Sequence, residues 1–178
     1  MAVTFPTGVS AQGNDSVIWV PALADPSAPT VTELTGAGAI NISCALVGFS
    51  VSVDQGTFTD TRLCSTQEFD NLGKAKYSID DLQYVYDPQT VGADPADDDN
   101  IAYDNLTPGL TGFFVHRRGI SAKTDVAADQ VVNVYPSELG VQSDVAVDPT
   151  AEGDKIKCTQ KVGVVAEVLR DVKVVAGA

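Results

Sequence analysis

At 178 residues, 44% hydrophobic and 20% charged, the chain is long enough to bury a core and too apolar for a disordered polymer. Its 24 acids outweigh 11 bases to give a formal charge of −13, spread as −7 over residues 1–89 and −6 over 90–178. The acidity is therefore not a detachable tail, and tight nucleic-acid binding, which needs clustered Lys and Arg, is disfavoured. Three cysteines (Cys44, Cys64, Cys158) and one histidine (His116) have no ligand-like spacing, so no metal centre is expected. The cysteines read as small buried or half-buried hydrophobes of a reducing compartment. No basic start with an apolar run marks a signal peptide, and no apolar run approaches about 18 residues. Val and Thr abound while Leu is sparse, and 15 Gly and nine Pro supply turns. β-Branched residues suit pleated surfaces, so the composition predicts an all-β domain.

Residues 1–16 are small, polar and Gly-containing and read as an N-terminal arm. Val17–Val20 predicts a strand ended by Pro21, with the single Trp19 as an anchor. Pro21, Pro26 and Pro29 predict a helix-free loop over 21–38. Val47, Phe49, Val51 and Val53 alternate with polar residues, the period of a half-buried strand. Ser50 and Ser52 on its other face lack the surroundings of a nucleophile.

Residues 55–73 are polar and bounded by breakers, which predicts a long inter-strand loop. Its mixture of Phe58, Arg62, Leu63, Glu68, Phe69 and Leu72 suits a contact surface. In residues 74–87 the apolar face shifts by one residue at Asp80-Asp81, the expected trace of a β-bulge. Adjacent strand residues point to opposite faces, so these two acids do not converge as a catalytic pair.

Pro95 and the run Asp97–Asp99 read as a helix N-terminus rather than a calcium loop, whose Gly and distal Glu are missing. A short helix follows over Ile101–Leu106, broken by Pro108 and Gly109, and then a strand from Leu110 to Arg118. Phe113 and Val115 share one face of that strand and Phe114 and His116 the other, so it is expected to be covered on both sides. Val131–Tyr135 predicts a strand closed by Pro136, and Ser137–Pro149 a loop. In residues 155–165, Lys155, Lys157 and Lys161 share one strand face, either a solvated edge or an inter-subunit charged surface. A last strand is expected over Glu167–Val175.

Four stretches, taken together and in order, resemble the siphophage major tail proteins, the subunits of the tail tube. They are TELTGAGAINISC (Thr32–Cys44), NIAYDNLTPGLTGFFVHRRG (Asn100–Gly119), VVNVYPSELGVQ (Val131–Gln142) and QKVGVVAEVLRDVKVVA (Gln160–Ala176). The resemblance implies a β-sandwich or partial barrel with one short flanking helix, whose inner sheets close into a β-barrel on oligomerisation. It implies homohexameric rings stacked into a tube, the loop 55–73 bridging rings, and tape measure, tail terminator and tail tip proteins as partners. DNA would pass in transit without tight binding, no cofactor would be needed, and the protein would reside in the virion tail after assembly in the host cytoplasm. A carbohydrate- or host-surface-binding β-sandwich is the other reading; an enzyme would need a metal set, phosphate loop or nucleophile elbow that the sequence lacks.

Overall fold

The structure, a computed structural model, describes residues 7–92, 100–148, 150 and 152–177. In chain order the elements are β1 (Asp15–Val20), α1 (Val31–Thr35), β2 (Ile40–Asn41), β3 (Leu46–Gly48), β4 (Val51–Asp60), β5 (Phe69–Ile79), β6 (Leu82–Val85), α2 (Ile101–Asn105), β7 (Thr111–Arg118), β8 (Val131–Asp144), β9 (Lys157–Val164) and β10 (Leu169–Lys173). The protein is all-β in character, with one large sheet curled into a half-barrel. Its order is β2-β1-β7-β8-β9-β6-β3, with β10 added beside β8, while β4 and β5 form a separate two-stranded ladder.

The centre is β1-β7-β8, three antiparallel strands from distant parts of the chain. β1 meets β7 from Asp15↔Arg118 to Val20↔Phe113, and β7 meets β8 from Thr111↔Glu138 to His116↔Asn133. Both faces are buried, as the side-chain pattern of β7 predicts. Val17, Trp19, Phe114 and Tyr135 face one hydrophobic cluster, which α2, β6 and β9 close. Ile18, Val20, Val115 and Val134 face a second, closed by Leu34 of α1 and by Leu169, Val172 and Val174. Each fully buried large side chain contributes about 1.5–3 kcal/mol of burial free energy. Gly112 is required at the heart of this arrangement, because a Cβ there would lie 2.7 Å from the Trp19 ring. Trp19 instead tilts against Phe114, with ring centroids 4.8 Å apart.

Seven expectations change. The half-buried strand expected through Val47–Val53 is split into β3 and β4, with Val47 and Val53 both exposed. The arm expected over 1–16 gives way at Asp15 to β1, which pairs with β7. The loop 21–38 contains α1, because Thr30 and Glu33 form a reciprocal capping box: Glu33 N–H donates to Thr30 Oγ1 and Thr30 N–H to Glu33 Oε2. Pro26 and Pro29 lie ahead of that cap, where proline breaks nothing. Pro136 does not close β8, which runs on to Asp144 through much of the expected loop 137–149. The Pro136 carbonyl accepts from Val165 N–H just past the end of β9, at the seam where β8 changes partner from β10 to β9. No ladder donor is needed there, so a residue without an N–H is tolerated. The register shift at Asp80-Asp81 is a change of sheet rather than a bulge: β5 pairs only β4, whereas β6 pairs β3 and β9. Residues 55–73 are mostly ladder rather than loop, as described below. Cys158 is buried, but Cys44 and Cys64 are exposed. The expected helix start at Pro95 and Asp97–Asp99 lies outside the described residues.

Among the described residues, every buried side-chain nitrogen and oxygen has a hydrogen-bond partner. Gln160 Nε2 donates to the carbonyls of Leu106 (2.8 Å) and Gly140 (2.9 Å), and Tyr84 Oη donates to Gln160 Oε1. Gln142 Nε2 donates to Tyr84 Oη and the Tyr103 carbonyl. This network ties α2 to the sheet, and burial pushes the Tyr84 phenol up so that it remains a donor. Arg117, also buried, donates to the carbonyls of Ser121, Thr124 and Asp125 and to Gln130 Oε1, so the turn-rich connector 121–130 wraps its guanidinium.

Candidate assembly surface

The β4–β5 ladder begins against the core and leaves it. Its register runs from Val51↔Ile79 at the root to Asp60↔Phe69 at the far end. Ile79 is buried and Val51 packs against the first cluster, whereas nearly every residue of β4 beyond Val51 is exposed. Ten residues of strand span about 34 Å at the usual rise. A bulge interrupts the ladder between Gln55 and Thr57, where Gly56 opposes Gly73 and Gln55 Nε2 donates to the Gly73 carbonyl at 2.9 Å. A side chain at Gly73 would be crowded, since a Cβ would lie 3.0 Å from the Gly56 carbonyl oxygen. Such bulges bend and twist a hairpin.

All six residues singled out in the expected loop 55–73 fall on the outer half of this hairpin. Phe58 (59% exposed) and Phe69 (52%) share one face of the ladder, diagonal to each other across the strands. Leu72 (69%) lies on the opposite face beside Thr57, and Leu63 is fully exposed in the turn. Arg62 forks onto its neighbour Asp60, with Nη2 to Oδ2 at 2.9 Å, and Glu68 is exposed at the start of the return strand. A two-stranded hairpin is marginal in water, and this one leaves aromatic and aliphatic side chains uncovered on both of its faces. The polarity that predicts a loop here belongs instead to an exposed ladder. Thr, Asn and Asp sit in the ladder here because neither face of the hairpin is covered.

The lysine stripe is less coherent than its alternation implied. Lys155 precedes β9, and Lys157 is bound within the chain to Asp154 at 2.6 Å. Lys161 stands exposed on β9. Among the described residues, β2 and β3 end the large sheet with unpaired outer edges, and β4 and β5 have no third strand beside them. Unpaired ladder donors and acceptors are a template for another strand. Ser52 Oγ donates to the Ser78 carbonyl, and His116 Nε2 bonds Asp15, while Ser50 lines the same cavity as His116.

An all-β subunit with open sheet edges and an apolar hairpin held away from its core has the architecture of an assembly protein. The chain matches the phage tail tube protein family over residues 2–177, nearly its whole length, and belongs to that family. A comparison with curated proteins finds no match. Membership makes this a structural component of the phage virion tail, one that associates with itself into a tube alongside other tail components.

Proposed function

We propose that the whole chain acts as a single siphophage-type tail tube domain, assembling as six-membered rings whose inner sheets join into a continuous barrel and whose rings stack through the β4–β5 hairpin. The observation that carries this reading is the hairpin itself. Its outer half buries almost nothing in the chain that makes it, yet presents Phe58, Leu63, Phe69 and Leu72 on a long, bulge-bent ladder. A heterologous contact, in which the hairpin of one copy lies on a different surface of the next, propagates along an axis, while lateral pairing of sheet edges closes a ring. The resemblance supplies the ring number, the tape measure, terminator and tip partners, and assembly in the host cytoplasm. The −13 charge of each copy suits a conduit that DNA traverses without adhering. The N-terminal arm, whose residues 7–12 are exposed, is free to reach a neighbour. Lys161 is the residue of the lysine stripe best able to pair across subunits. The glycan-binding alternative needs an aromatic platform, but Tyr84 is core and Tyr86 stacks on Tyr103 at 4.5 Å.

Replacing Thr57–Leu72 by a two-residue Asn-Gly turn tests the hairpin role. The shortened protein should fold with unchanged circular dichroism and remain a small species by light scattering under conditions where the intact chain gives hollow tubes in negative-stain micrographs. Normal tubes from the shortened chain would sink the assignment.

A further inference from the structure

A second feature lies at the root of the hairpin, far from its tip. A cavity of about 280 Å³ opens in the crease where the hairpin leaves the half-barrel. The hairpin side is walled by Phe49, Val53 and Tyr77; the sheet side carries Asp15, His116, Arg118, Asn133, Tyr135 and Arg170. These polar residues come from four strands, which is why no local motif announced them. Arg170 reaches this face because β10 bulges between Leu169 and Val172, two residues opposing the single Asn133 of β8. Asp171 takes a left-handed backbone there (φ 56°), pinned by its N–H donating to Asn133 Oδ1 at 2.9 Å. Leu169 and Val172 can then both face the second cluster while Arg170 lies with Asn133 and Tyr135 on the opposite face.

The charge here runs against the rest of the molecule. The chain has four arginines. Arg62 is forked onto Asp60 and Arg117 is wrapped by carbonyls. Arg118 and Arg170 are the remaining two; both are exposed, both line this cavity, and among the described residues neither has an ion-pair or hydrogen-bond partner. Both exert their positive charge on the Tyr135 phenol, which burial keeps protonated and able to donate. The one carboxylate present, Asp15, is already engaged by His116. Two unpaired guanidiniums beside a phenol in an open crease form a site for a planar carboxylate, the geometry arginine forks recognise best.

We propose that this crease is a carboxylate-binding pocket and that its occupant is an Asp or Glu side chain of a second copy of the chain. The choice of occupant rests on the tube reading above and on charge complementarity: each copy brings 24 acids and a −13 charge to its neighbours, whereas this pocket offers unpaired cations. A carboxylate held there also touches both sheets, so the contact that joins two subunits would fix the angle at which the hairpin leaves its own.

The test uses the intact chain in solution. N-acetyl-glutamate α-methylamide and, in parallel, inorganic phosphate are titrated while the backbone N–H resonances of residues 118 and 170, which survive side-chain substitution, are followed. The glutamate probe should give a saturable shift, and the doubly substituted R118Q/R170Q protein should bind it at least about tenfold more weakly. No saturable shift, or equal binding by the double variant, overturns the pocket; phosphate binding with no response to glutamate overturns the carboxylate assignment. Raising protein concentration about tenfold should move the same two resonances in the direction the probe moves them. Resonances that stay fixed, or an R118E/R170E protein that forms tubes as readily as the parent, would overturn the second copy as occupant. Failure of the tube reading is seen separately, in the parent chain's own micrographs, and leaves the probe titration intact.

Discussion

The strands β7 and β4 are both extended and both carry phenylalanine, yet they have opposite fates. In β7, five of eight residues are fully buried, and Phe114 meets Trp19 on one side while Val115 meets the second cluster on the other. In β4, beyond its root, Phe58 is mostly exposed and lies against β5 alone. The first strand is stabilised by the molecule that contains it. The second forms a ladder with β5 but leaves its apolar surface exposed. A polar pattern with scattered aromatics thus does not mean loop; it can mean a strand exposed on both faces.

The sharpest way to break that contrast is to damage the inner region. Trp19→Ala should cost about 3–5 kcal/mol, through lost burial and a void over Gly112 and Phe114. Denaturant unfolding measures it, and a loss near zero would mean that the three-strand centre is not the core. An intermediate effect is expected where the two regions meet. Burial holds the His116 imidazole below its usual 6.5, with Arg118 pushing the same way and Asp15 opposing. The unfolded chain therefore takes up a proton before the folded one does. The contribution from His116 is complete above pH 6.5 and declines as pH falls below it, until the folded imidazole itself titrates. Arg118, Asp15, Tyr135 and Arg170 surround the group, so His116→Gln should flatten this part of the stability profile. An unchanged slope in that variant would remove His116 as its source. The smallest effect belongs to the hairpin: Phe58→Ser with Phe69→Ser should change subunit stability by no more than about 0.5 kcal/mol, the range of ordinary surface changes. A larger loss would mean that the hairpin tip stabilises its own subunit.

Much of the central fold was legible. The both-faced apolar pattern of β7, the breakers Pro108 and Gly109 before it, and the short helix α2 all follow from local chemistry. Helix α1 was equally legible through Thr30-x-x-Glu33, but the nearby prolines drew the reading toward loop. The six hairpin residues were identified as a surface without their ladder being recognised. The crease was not legible at all, because Asp15, His116, Asn133 and Arg170 are brought together only by the pairing of β1, β7, β8 and β10.

What the amino-acid sequence determined by itself was the β class, the burial of β7 on both faces, the acidity and the absence of a local catalytic motif. All of these depend on residue type and on spacings of a few residues. Only the tertiary structure decided that Pro136 sits harmlessly inside a strand, that the lysine stripe is divided by an ion pair to Asp154, and that two arginines are left without partners beside the hairpin. Each of those depends on which strand lies alongside which. That is settled by the long-range packing of two hydrophobic faces, which no short stretch of sequence contains.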